Sequence, residues 1–210
     1  NVPEGLLPTV TLALAMGSQR MARKMALVKT LTSVETLGSV TVICTDKTGT
    51  LTQNRMKVRK LWTQGKLFSP EEANPVSAGK ILTIASLCNN ATASGGTYTG
   101  DPTEVALKQA AQGILGEVRS ERVFEIPFDS DRKRMTTVHV VAGQTVVLTK
   151  GAVESLLPLC REWWRNGSPV PMGEEVQREL LVSYHALMDR GLRVLSFAYR
   201  DVPDADADRI

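Results

Sequence analysis

Cysteine is scarce. Cys44, Cys88 and Cys160 are the three in the chain and lie far apart, so no paired spacing suggests a disulfide framework or a zinc site, and a reducing compartment fits. Aromatic residues make up 5% of the chain, and the formal net charge of +3 is too small to argue for a nucleic-acid partner. No basic-then-apolar signal peptide opens the sequence. Residues 5–19 carry no charge, yet they fall short of the roughly 20 apolar residues of a full membrane span. What remains is ordinary globular composition, 42% hydrophobic and 22% charged over 210 residues, enough for one large domain or two small ones. The abrupt opening Asn1-Val2-Pro3-Glu4-Gly5 reads as an excision from a longer protein.

The chemistry concentrates in residues 43–52, Ile-Cys-Thr-Asp-Lys-Thr-Gly-Thr-Leu-Thr. The short apolar, β-branched run before it, residues 40–44, predicts a buried strand. The carboxyl end of such a strand is where open α/β sheets place their functional groups. Asp46 alone would be no more than a helix cap. In its setting of Lys47, Thr48, Gly49 and Thr50 it resembles the phosphorylation signature of the P-type ATPases, cation pumps that pass through an aspartyl-phosphate. The resemblance implies Asp46 as the nucleophile that takes the γ-phosphoryl group of ATP. It implies Lys47 beside the phosphoryl oxygens as a compensating charge. It also implies Mg²⁺ bridging Asp46 and the backbone carbonyl of Thr48, with Thr50 beside the phosphate. Haloacid-dehalogenase-like phosphatases carry a second Asp where this chain has Thr48, which cannot transfer protons near neutral pH. Transport through a long-lived phosphoenzyme is therefore favoured over simple phosphatase chemistry.

Near the start, Pro3, Gly5 and Pro8 interrupt the helical pattern beside Glu4, and Arg20, Arg23 and Lys24 follow the apolar stretch at once. Broken helices at membrane depth line ion sites, and basic flanks mark the cytoplasmic side. The run PEGLLPTVTLALA resembles the second half of the fourth transmembrane helix of Ca²⁺, Na⁺/K⁺ or H⁺/K⁺ pumps, which implies Glu4 as a ligand of the transported cation. Residues 21–38 have apolar positions at helical spacing and end at Gly38, predicting one amphipathic stalk helix.

Residues 58–62 and 66–68 flank Gln64-Gly65 as a hairpin. Residues 77–90 form an apolar helix and 93–99 a loop. Asp101 as cap, Pro102 at the first helical position and Glu104 three residues after the cap open a helix to about Gln112. Residues 118–128, 136–141 and 145–148 read as strands, with the basic turn DSDRKR after the first and Lys150-Gly151-Ala152 after the last. Residues 152–160 look helical. Trp163 and Trp164 sit in a polar connection as core packing, 174–190 is an amphipathic helix ended by Gly191, and 192–199 is a strand.

GDPTEVAL, FDSDRK, KGA and GLRVLSFAYR resemble the nucleotide-binding domain of the same pumps. That implies Phe128 stacked on adenine, Glu104 facing the base, and Lys133 and Lys150 bordering the pocket. Gly151 would give close backbone approach, and Arg193 would meet the phosphates. Ser130 stands where some relatives carry an Arg, and Val153 where many carry Pro.

The expected architecture is α/β and α+β, in four parts. They are a transmembrane half-helix and stalk (residues 1–38), the opening of a haloacid-dehalogenase-like phosphorylation domain (39–56), a nucleotide-binding domain with an antiparallel sheet flanked by helices (57–201), and the start of a hinge (202–210). The expected parent is a multi-pass membrane protein, cytoplasmic from about residue 20, using ATP and Mg²⁺ to move a cation, with no nucleic-acid partner. Two alternatives stand beside it: an isolated non-catalytic ATP-binding module, and a haloacid-dehalogenase-like phosphohydrolase. The stalk and signature look closer to Na⁺/K⁺ pumps, GDPTE and FDSDRK to Ca²⁺ pumps, and the ion stays open.

Overall fold

The computed structural model describes residues 5–141 and 143–203. The chain divides into two units at residues 53 and 54, and each is described by itself. Glu4, Pro3 and residues 204–210 of the expected hinge lie outside the described residues.

In the first unit, helix α1 spans Leu6–Arg23 and helix α2 spans Leu31–Gly38. Pro8 does not break α1. It sits in the first turn, where its missing N–H would have had no intrahelical partner anyway. The expected single helix over 21–38 is instead cut between Lys24 and Thr30. Met25 there takes a left-handed backbone (φ 64°), and Thr30 is extended, with its hydroxyl 2.6 Å from that of Ser33. Hydroxyl side chains offer the backbone such local partners in place of the helix ladder. Among the described residues no helix is long and apolar enough to cross a membrane.

The strand expected at residues 40–44 does not form. A strand of a parallel sheet needs ladder partners on its flanks, and no strand occurs among the described residues of this unit. The segment is accordingly open to solvent, Val42 74% and Ile43 85% exposed. The signature continues as an irregular turn over Lys47–Leu51, where Gly49 adopts φ 78° and the Thr52 amide donates to the Lys47 carbonyl at 3.0 Å.

The second unit is α+β. Hairpin β1–β2 pairs Leu61–Thr63 with Lys66–Phe68 through Gln64-Gly65, both at positive φ, the backbone a two-residue hairpin needs. Helix α3, Pro75–Leu87, begins two residues before the expected start because Asn74 and Ser77 cap each other's backbone and Pro75 takes the first position. The expected loop at 93–99 is a second small hairpin, β3 Thr92–Ser94 and β4 Thr97–Thr99, turned by Gly95-Gly96. Helix α4 spans Pro102–Leu115.

Strands β5 (Glu121–Asp129), β6 (Arg134–Val141), β7 (Gln144–Gly151) and β10 (Ser196–Val202) make one antiparallel sheet in the order β10-β7-β6-β5. Short helix α5 is Val153–Leu156 and long helix α6 is Glu174–Met188, the latter closed by Gly191 at φ 71° as expected. Trp163 and Trp164 lie in a strand, not an irregular connection. Strand β8 (Glu162–Arg165) pairs with β9 (Ser168–Pro171) through Asn166-Gly167, so the two rings leave on opposite faces. Trp163 is buried against Trp62 at 5.6 Å, and Trp164 meets Tyr199 at 6.0 Å with the Lys80 ammonium over both rings.

One core cluster joins α3 to the sheet through Ile84, Leu87, Cys88, Met135 and Leu148. Thr137, His139 and Lys150 are buried as well. They alternate along β6 and β7 on the face that carries Met135 and Leu148, so this layer is partly polar. Of these polar groups, Lys150 belongs to the site described next.

Candidate functional site

Helix α4 starts as its residue types dictate. The Asp101 carboxylate accepts from the amides of Thr103 (2.8 Å) and Glu104 (3.3 Å), and Pro102 occupies the first turn. Burial pushes the Asp101 carboxyl up, but those hydrogen bonds and the nearby Arg193 charge outweigh it and hold the group below its ordinary value. Glu104 does not fold back on the cap. Its Oε1 pairs with the Lys150 ammonium, and its Oε2 accepts from the Asn90 amide at 3.2 Å. The two side chains are 16% and 9% exposed, and in such a place each charge depends on the other.

Lys150 is held at the end of β7, opposite Met135 on one side and Phe197 on the other. Gly151 follows it. A Cβ there would lie 2.6 Å from the Lys133 carbonyl oxygen and 2.6 Å from the Arg134 Cβ, so only glycine lets β7 close on the β5–β6 turn. The Ala152 amide then donates to the Lys133 carbonyl at 3.0 Å. Lys133 itself takes φ 52°, with its amide bonded to the Asp129 carbonyl at 2.7 Å. The charged turn is built by Asp129, whose carboxylate accepts from the amides of Asp131 and Arg132. Phe128 sits where the β5–β6 register slips between Ile126 and Asp129, and it is 60% exposed. A large ring on a bulged edge strand is apolar area without protein cover.

Of the expected nucleotide residues, the fold thus joins Glu104 to Lys150 and Gly151 to Lys133, with Phe128 at the same corner of the sheet. Arg193 stands apart. It is exposed and precedes β10, which begins only at Ser196. It lines a cavity of about 1290 Å³ whose walls include Thr103 but none of Glu104, Phe128, Lys133 and Lys150. Its charge reaches Asp101, the cap of α4, and helps to lower that carboxyl.

In the first unit, Asp46 has an extended backbone at the head of the exposed Lys47–Leu51 turn. Among the described residues no three metal-ligating side chains gather. A carboxylate and a carbonyl are still a fitting protein share for Mg²⁺, which binds through one or two carboxylates, waters and phosphate oxygens.

Four residues at the site carried no sequence signal. The Asn89 side-chain amide donates to the Ala85 carbonyl (3.0 Å) and the Glu104 carbonyl (2.9 Å). Arg122 donates to the Asn90 side chain, Glu125 and the carbonyls of Leu87 and Asn89. Apart from the local Asn89–Ala85 and Arg122–Glu125 contacts, these bonds span 15 to 35 residues, and no local pattern encodes them.

Comparison with known proteins bears on this arrangement. Residues 77–209 match the family described as P-type ATPase, cytoplasmic domain N. Calcium-transporting ATPase 1 of Bacillus cereus is 40% identical over 99% of this chain and 24% of its own length. The sodium/potassium-transporting ATPase subunit alpha-4 of Rattus norvegicus is 38% identical over 97% of this chain and 22% of its own. The potassium-transporting ATPase alpha chain 2 of Homo sapiens gives 38%, 97% and 22%. The chain spans about a quarter of the length of these relatives. With the family match over most of the second unit and relatives matched over nearly the whole chain, the chain belongs to the P-type cation-transporting ATPases.

Proposed function

We propose that this chain supplies the phosphoacceptor Asp46 and the ATP-binding domain of an ATP-driven cation pump. The observation that carries the ATP reading is an exposed Phe128 ring at the sheet corner that also presents Lys133 and the Glu104–Lys150 pair. A flat, charged ligand matches it: the ring offers a stacking face, and the paired carboxylate and ammonium offer polar partners at the edge. Arg193, on the other side of the α4 start, is proposed for the phosphates.

In the proposed reaction an Asp46 carboxylate oxygen forms a bond to the γ-phosphorus. The bond from that phosphorus to the β–γ bridging oxygen breaks, and ADP leaves with the electron pair. Lys47 offsets charge on the transferred group, and Thr50 lies beside it. Mg²⁺, held by Asp46 and the Thr48 carbonyl, would supply charge neutralisation on the phosphate oxygens. Thr48 cannot act as a general base, so the acyl phosphate persists until water is admitted, which favours a pump over a phosphohydrolase. The membrane half-helix with Glu4 as cation ligand, the stalk, the domain bounds at 38, 56 and 201 and a cytoplasmic side from about residue 20 belong to the same proposal. The relatives' names include calcium, sodium/potassium and potassium transport, so it extends to a cation and to no particular one.

The 210-residue chain alone is proposed to bind ATP weakly and to turn it over poorly. The test is phosphorylation of the full-length protein by γ-labelled ATP. A hydroxylamine-labile phosphoprotein lost in Asp46→Asn supports the reading, and label that persists in that variant contradicts it.

A further inference from the structure

Glu104 is gripped at both ends of its residue by one short strap, residues 87–91. Asn89, 3% exposed, spends its whole side chain there: its amide holds the Glu104 and Ala85 carbonyls, and its oxygen accepts from the Ala91 amide at 2.8 Å. The Asn90 backbone N–H donates to the Glu104 carboxylate at 3.2 Å. The Asn90 side chain is clamped in turn. Its oxygen accepts from Arg122 at 2.5 Å, its amide donates to Glu125 at 2.8 Å, and Arg122 and Glu125 close the triangle at 2.8 Å. The second Arg122 nitrogen donates to the carbonyls of Leu87 (2.9 Å) and Asn89 (2.6 Å), capping the end of α3. Two cations, Arg122 and Lys150, and two carboxylates, Glu104 and Glu125, are therefore joined through one asparagine. Fully connected polar networks of this kind fix orientation, because moving one member strands the rest.

We propose that Asn90 and Arg122 are positioning residues that set the purine preference of the pocket, by holding the Glu104 carboxylate at a fixed angle as an acceptor; this rests on the ATP-pocket reading above. Oε1 is committed to Lys150 and Oε2 to the strap, so the carboxylate cannot turn away without breaking both contacts. A 6-amino purine can donate to such a group. A 6-oxo purine presents an acceptor to it and leaves a desolvated oxygen unpaired. Neither Asn90 nor Arg122 needs to touch the base. If the strap loosens, the carboxylate swings and the distinction fades.

The experiment titrates the 210-residue chain with ATP and with ITP, which differs from ATP in the purine 6-substituent, following amide chemical shifts. Wild type is expected to prefer ATP. Asn90→Ala and Arg122→Gln are expected to lower the ATP/ITP affinity ratio roughly five- to tenfold, as loss of a charge-assisted contact would, with ITP affinity nearly unchanged. In the Glu104→Gln background neither should lower the ratio further. Asn90 is exposed, so Asn90→Ala keeps the test valid if Arg122→Gln unfolds. A folded Asn90→Ala with an unchanged ratio overturns the proposal. Phe128→Ala separates the two levels, since it should weaken both nucleotides alike. If it weakens neither, or if wild type binds neither, the pocket reading fails and the proposal falls with it.

Discussion

The Glu104 carboxylate, three residues past the Asp101 cap, bonds to the Lys150 ammonium at the end of β7 and not to the cap amide. A residue type that suits a capping box has been diverted to a tertiary pair. Both partners are nearly buried, so removing one leaves the other as an uncompensated charge. Lys150→Met is expected to cost about 3 kcal/mol or more of folding stability, while Lys150→Met with Glu104→Leu should recover much of it. Urea unfolding of the two variants and wild type measures the difference.

Two glycines should respond in opposite directions to alanine. At Gly151 the new methyl would meet backbone and Leu156 at 2.6–2.8 Å, so Gly151→Ala should destabilise by roughly 1–3 kcal/mol. At Gly113, inside α4 on its exposed side, nothing lies within 4 Å. Gly113→Ala should stabilise by about 0.5–1 kcal/mol through helix propensity. Thermal unfolding of each reads the sign.

Local chemistry made much of the second unit legible. Asp101-Pro102 announced α4, Gln64-Gly65 announced its hairpin, and Gly191 closed α6. Gly95-Gly96 and Asn166-Gly167 carried the same kind of hairpin signal but flank strands of three or four residues, too short for alternation to show. The run at 40–44 reads as a strand by composition, yet a strand is a property of a pair, and no partner stands beside it among the described residues. Glu104, Lys150 and Phe128 were legible through their motifs. Asn89, Asn90, Arg122 and Glu125 were not, because their contacts cross between α3, α4 and β5.

His139 should give the fold an acid-sensitive phase. Its ring is buried, with Ser120 at 2.7 Å on Nδ1 and Thr137 at 3.0 Å on Nε2. Burial, aided by the Arg122 charge, lowers its pKa from 6.5 to about 4. The unfolded chain then binds more protons between these values, so stability should be full above about pH 6.5 and fall as pH drops toward 4. Replacing the ring, as in His139→Gln, should flatten this stretch of the stability–pH curve. An unchanged slope would contradict the assignment.

Thr48 is the position where a proton-transferring Asp would change the chemistry. In the full-length protein, Thr48→Asp should shorten the lifetime of the phosphorylated Asp46 by about a hundredfold, the scale of general acid–base assistance. Chasing labelled phosphoenzyme with unlabelled ATP measures that lifetime. No change would mean that the persistence of the acyl phosphate has another cause.

The most direct test of the account is an ATP titration of this chain followed by amide chemical shifts, with Phe128→Ala as the control. Shifts are expected to cluster at Glu104, Phe128, Lys133 and Lys150, with a separate response at Arg193 across the start of α4, and Phe128→Ala should bind roughly tenfold more weakly, as loss of one stacking face implies. No shifts at millimolar ATP, or shifts lying away from this corner and indifferent to Phe128, would contradict it.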